Sequence, residues 1–175
     1  MSSISEFKSR ISGGGARSNL FQVEILFPAF AGGEQETDQG RFMARATSLP
    51  PSTLGVIEMP FQGRVLPLPG DRTFEEWSCT FLNDTNFKLR DAFERWSNGI
   101  NNVESGGGIN NPDEYMSDVI IHQLDRAGNI VKSYKLQDAW PLNVGPIEVS
   151  MDNADTIETF DVSMRYINWS SNTTS

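Results

Sequence analysis

The chain is poor in the residues from which chemistry is most often built. Its 175 residues include one cysteine, Cys79, and one histidine, His122. A single cysteine excludes an intrachain disulfide, and one Cys with one His cannot complete a tetrahedral zinc site. Both lie within apolar-patterned runs, which reads Cys79 as a small buried hydrophobe and His122 as a structural residue. Cations are also scarce, with 14 Lys and Arg against 23 Asp and Glu for a formal net charge of −9. Tight phosphate binding needs clustered Lys and Arg, so this balance argues against a nucleic-acid grip. Met1–Arg10 has no apolar core of a secretory leader, predicting synthesis in a cytoplasm, and no apolar run is long enough to span a bilayer, predicting no membrane anchoring.

The candidate chemical motifs are equally thin. Gly13-Gly14-Gly15 has no preceding strand and no following Lys-Ser or Lys-Thr, so it reads as a break rather than a phosphate loop. Glu75 and Glu76 are neighbours on a strand and point to opposite faces, so they cannot converge as a catalytic pair. Asp113/Glu114 and Asp152/Asp155 fall in polar loops. No nucleophile, base and orienting group come together, which predicts a protein that is not an enzyme and needs no cofactor or metal. The sequons Asn168-Trp169-Ser170 and Asn172-Thr173-Thr174 are chance matches without a secretory route.

What is present is β-patterning around one helix. From Thr73, the residues Trp77, Cys79 and Phe81 alternate with Glu76, Ser78 and Thr80, the period of a half-buried strand. Asp84 is an N-cap for a helix that places Leu89, Ala92, Phe93 and Trp96 on one stripe. Gly99 is read as its stop. The opposite face carries Lys88, Arg90, Asp91, Glu94 and Arg95, with Arg90/Glu94 and Asp91/Arg95 as i,i+4 pairs.

Further strands are expected at 19–27, 41–47, 55–61, 64–68, 115–124, 130–136, 147–151 and 157–169, the last with Phe160, Val162, Met164 and Tyr166 facing in. Pro69-Gly70-Asp71 reads as a turn, and 28–40 and 101–112 as loops. Residues 1–18 form a flexible arm, 19–169 the folded domain, and 170–175 a disordered tail. The fold class is mainly β with one α-helix: two packed antiparallel sheets in a sandwich or barrel, flanked by the helix. Open sheet edges make a self-associating oligomer plausible.

Several blocks together carry a resemblance: NLFQVEI (19–25), ATSLP (46–50), PGDRTFEEW (69–77), LND (82–84), AWPLNVG (139–145) and DTIETFDVSMRYINW (155–169). In this order they resemble the tail tube proteins of T4-like contractile-tailed bacteriophages. The resemblance implies a virion structural subunit that forms hexameric, stacked rings and passes double-stranded DNA without binding it specifically. Its implied partners are further copies of itself, a tail sheath protein, and baseplate and tail-terminator proteins. A baseplate–tube junction protein, or the tube of a related secretion or bacteriocin particle, would share these blocks. Outward acids of the strands, Glu24, Glu58, Glu148, Glu158 and Asp161, are the candidate lining of the bore. The charged face of the helix is the candidate contact to neighbouring subunits or sheath. A carbohydrate-binding module would instead need exposed aromatics, for which Trp140 and Trp169 are the remaining candidates.

Overall fold

A computed structural model describes residues 3–11, 15–152 and 154–174. The expected helix is α3, Lys88–Ile100, and its apolar stripe is fully used: Leu89, Ala92, Phe93 and Trp96 are all buried. Phe87 precedes it in a left-handed conformation (φ 56°), while the Asp84 carboxylate accepts from the Lys88 N–H at 3.1 Å. Asp84 therefore caps the helix one turn earlier than the N-cap position itself. Gly99 lies within α3 and does not end it; a Cβ there would stand 2.3 Å from the Phe30 ring, so its role is close packing.

The sheet on which α3 lies runs in the order β1-β6-β7-β8-β5-β2, with β9 also paired to β7. These strands are β1 (Phe21–Ile25), β2 (Ala44–Thr47), β5 (Trp77–Leu82), β6 (Ser117–Leu124), β7 (Ile130–Val144), β8 (Thr159–Arg165) and β9 (Asn168–Ser171). All pairings are antiparallel. Strand β7 belongs to both halves of the sheet. Its first part pairs β6 and β9, and beyond Asp138, held at φ 53°, its second part pairs β8. The result is two antiparallel layers joined through one bent strand, open rather than closed into a barrel.

The core lies between α3 and these layers. Trp77, Phe81, Phe93, Trp96, Phe160, Val162 and Met164 are each no more than 1% exposed. The Phe93 ring meets Phe27, Phe81, Trp96 and Phe160 at centroid distances of 5.2–6.4 Å. Aromatic pairs at such distances add to the free energy of area burial.

Further sequence expectations are corrected. Four helices are present among the described residues, not one: α1 (Ile4–Arg10), α2 (Glu34–Met43), α3 and α4 (Pro112–Tyr115). Residues 34–43 were expected as loop and strand, and Phe42, within the expected strand 41–47, instead lies in α2 and is 81% exposed. The strand expected at 147–151 is absent, because β7 and β8 pair directly at Val144–Val162 and leave it no neighbour. The run 157–169 breaks at Tyr166-Ile167 into β8 and β9, and β9 takes in Ser170 and the buried Ser171, both expected in a disordered tail. The arm bears the helix α1, and the Gly13-Gly14 part of its break lies outside the described residues.

The remaining pair, β3 (Thr53–Phe61) and β4 (Arg64–Thr73), forms a separate two-stranded sheet. Gln62 and Gly63, both with positive φ, make its two-residue turn. β4 runs straight through Pro69-Gly70-Asp71, expected as a turn. The ladder shifts register between Leu54 and Val56, and a Cβ on Gly70 would stand 3.2 Å from the Gly55 backbone, so the paired glycines permit the close approach.

Phe93→Ala removes the ring at the centre of the core. We expect a loss of about 3–5 kcal/mol, measured by chemical denaturation of the subunit.

Candidate functional site

The chain has no cluster of three or more His, Cys, Asp or Glu suited to a metal among the described residues, and no helix long and apolar enough to cross a membrane. Cys79 is 2% exposed, and burial pushes its thiol pKa up to about 12. His122 has Nδ1 at 2.8 Å from the Ser133 hydroxyl and Nε2 at 4.0 Å from Glu24. Its surroundings are those of a structural residue. Trp169 is half-buried, donating from Nε1 to the Pro51 carbonyl at 3.1 Å and packing edge-on against Tyr134. Trp140 is also half-buried. Neither is a free aromatic platform for a sugar.

The distinctive feature is apolar surface without a partner. Of the residues of β3 and β4, all but Leu68 and Gly70 are exposed. Paired residues share a face, so Ile57, Met59, Phe61, Leu66 and Leu68 line one side, and Pro60, Val65 and Pro67 line the other. Met59 and Leu66 are 50% and 53% exposed. An isolated hairpin is marginally stable in water at best, and one with apolar residues on both faces has still more reason to be covered. The only trace of this feature in the residue pattern is a run of apolar residues that fail to alternate with polar ones.

The candidate bore acids do not form one surface. Glu148, Glu158 and Asp161 line a common groove of about 470 Å³ at the start of β8. Glu158 also accepts from the Asn83 side chain at 2.8 Å. Glu24 lies on β1 and is engaged by Arg41, so its charge is matched within the subunit. Glu58 sits apart on the hairpin, opposite Pro67. The uncovered face of β5 and β8 presents Ser78, Thr80, Asp161, Ser163 and Arg165, small and polar with one acid and one cation.

The charged face of α3 divides in the same way. Arg90 pairs with Glu94 at 2.7 Å, donates to the Gly145 carbonyl and lies over the Phe160 ring. Arg95 donates to the Ala31 carbonyl at 2.7 Å and faces Glu36 at 3.8 Å. The expected Asp91/Arg95 pair is therefore replaced by contacts to the α2 region. Glu36 also accepts from the Gly33 N–H at 2.9 Å, and this bond, ahead of the Arg95 charge, holds its carboxyl below the usual range. Its stabilising effect is present above the ordinary carboxylate pKa and lost as pH falls through the lowered one. Arg90 and Arg95 are thus clamps within the subunit. Lys88, Asp91 and Glu94 remain exposed on the helix.

The fold is an open two-layer sheet with a buttressing helix and a projecting hairpin whose apolar residues are exposed. The same architecture is found in contractile injection machines. The tube–sheath complex of an extracellular contractile injection system superposes with a TM-score of 0.66 at 13% identity, covering 98% of this chain and 99% of that one. The tube-terminating cap of the anti-feeding prophage also gives 0.66, at 12% identity, covering 90% and 91%. By sequence, a chain of Serratia phage KSP90 named tail tube protein is 39% identical over 168 residues, 95% of each chain. The tail tube protein gp19 of Enterobacteria phage T4 is 35% identical over 162 residues, 90% of this chain and 93% of its own. The family described as phage tail tube protein matches residues 16–172, and the chain belongs to that family.

A thiol with a pKa near 12 has almost no thiolate at pH 8, and its sulfur is shielded besides. Cys79 should resist a disulfide reagent in the native subunit and react at once in denaturant, followed by thiol absorbance.

Proposed function

We propose that this chain is the repeating subunit of the tube of a contractile phage tail, a structural and non-enzymatic component of the virion made in the host cytoplasm. Six copies form a ring, rings stack into a tube within a sheath, and the tube runs from the baseplate to a terminator. The observation that carries this reading is the β3–β4 hairpin, whose two apolar faces have no cover within one copy. Burying apolar surface is worth roughly 25 cal/mol per Å², so covering both faces against neighbouring copies supplies the drive for assembly.

The sheet supports ring closure in the same terms. Its path ends at β1 and β2, two different edges of one subunit. Joining unlike edges is a heterologous contact, which closes into a ring when the rotation permits, while a second heterologous contact along the axis extends without limit. The relatives named tail tube proteins, at 34–39% identity, favour the tube over a junction protein present in one ring.

In this reading double-stranded DNA passes through the bore without specific binding. A basic lining would hold DNA by counterion release, whereas carboxylates let it slide. Glu148, Glu158 and Asp161, gathered at one groove, are the part of the candidate lining that stands together. The bore should therefore be acidic in a tube reconstruction, and a predominantly basic lumen would refute its assignment as a slide for DNA.

Purified protein should remain soluble at low concentration and form tubes when a baseplate nucleus is supplied, because arms and loops must order first. Ile57→Asp with Leu66→Asp should abolish tubes in negative-stain images while leaving the subunit's circular dichroism unchanged. Tubes from the doubly substituted chain would contradict the hairpin's role.

A further inference from the structure

Two further surfaces of this subunit lack cover, and they complement one another. The first is α1. Its Ile4 and Phe7 are 76% and 65% exposed, none of its residues is buried, and Ile11 follows on the same stripe. The segment from Ser3 to Arg17 carries Lys8, Arg10 and Arg17 against the single acid Glu6. The second is the groove at the start of β8, where Val149 and Ile157 are 77% and 64% exposed beside Glu148 and Glu158. From Pro146 to Asp161 the chain has five acids and no Lys or Arg.

The two lie at opposite ends of β7. The base of the arm is fixed beside the β6–β7 turn, because the Gln123 side chain donates to the carbonyls of Arg17 and Leu20, each at 2.8 Å. Gln123 pairs with Lys132, near the start of β7. The groove adjoins the other end, where the Gly145 N–H donates to Asp161 at 2.7 Å. At about 3.3 Å per residue, Lys132 to Val144 spans about 40 Å, and a right-angle bend at Asp138 would still leave about 28 Å. From Arg17, a fully extended chain to Ile11 and then the helix to Phe7 reach about 26–28 Å, no more than that bent span. The arm therefore has no slack with which to turn around the body into its own groove.

We propose that α1 of one copy docks in the Glu148–Glu158 groove of the next copy along the tube axis. Ile4, Phe7 and Ile11 cover Val149 and Ile157, while Lys8 and Arg10 face the carboxylates. Donor and acceptor at opposite ends of one strand make a head-to-tail contact, which adds copies without closing. Lys8 and Arg10 offset two of the five acids between Pro146 and Asp161, so the groove keeps a net negative charge and the bore stays acidic. The inference rests on the tube reading and assigns its axial contact.

The test uses full-length chains, in which Cys79 is buried and offers no competing thiol. Phe7→Cys and Val149→Cys variants are prepared separately, mixed, assembled into tubes and oxidised. A disulfide-linked dimer on a non-reducing gel from the mixture, and from neither variant alone, is the expected result. Tubes that give no such dimer overturn the docking while leaving the tube reading intact. Failure of the unsubstituted chain to form tubes with a baseplate nucleus refutes the tube reading and the docking with it. Should a cysteine variant itself stop assembly, charge exchange reads the same contact. Lys8→Glu with Arg10→Glu, or Glu148→Lys with Glu158→Lys, should each lose tube yield, and the four together should restore it; no restoration overturns the proposal.

Discussion

The architecture depends on one constraint: the apolar surface of this chain is divided between an interior that a single copy can close and an exterior that it cannot. Inside, the α3 stripe of Leu89, Ala92, Phe93 and Trp96 is fully buried against both layers of the sheet. Outside, Ile57, Met59, Phe61, Val65 and Leu66 stand at 50% exposure or more on a hairpin that pairs with no other strand. The first set makes the subunit fold. The second leaves apolar area open to solvent in a single copy.

The charged residues serve the first task more than the second. Arg90 ties α3 to the Gly145 turn, and Arg95 ties it to Ala31 and Glu36. Arg41 engages Glu24 where α2 meets β1. Guanidinium groups suit these duties because each can donate to several acceptors from one rigid fork. The elements α2, α3 and the 145–158 segment are fixed in this way around the sheet, leaving Lys88, Asp91 and Glu94 on the outer surface of the helix.

Where periodicity was strong, the fold was legible in the sequence. The α3 stripe and the alternation of β5 and β8 lie as the pattern implied, because burial on one face leaves a direct trace in residue type. α2 left no such trace. Its only buried residue is Gly40, and it is held by the Glu36 cap and by ion pairs to distant segments. The passage of β4 through Pro69-Gly70-Asp71 was hidden for a different reason: proline and glycine signal turns, yet a hairpin with two free edges tolerates proline, and Gly55 and Gly70 accommodate the bulge. Of the candidate site, the grouping of Glu148, Glu158 and Asp161 requires the meeting of the 145–158 segment with β8, which spacing alone does not specify. The resemblance to tail tube proteins came from the order of whole blocks, and no single residue carried it.

The central claim is that the β3–β4 hairpin is completed only by other copies. Amide hydrogen exchange of the hairpin, compared between dispersed subunits and assembled tubes, tests it most directly. The account predicts rapid exchange across Thr53–Thr73 in the dispersed subunit, where the strands open locally, and strong protection after assembly. Exchange in that segment as slow as in β5 before assembly, or unchanged by it, would contradict the account.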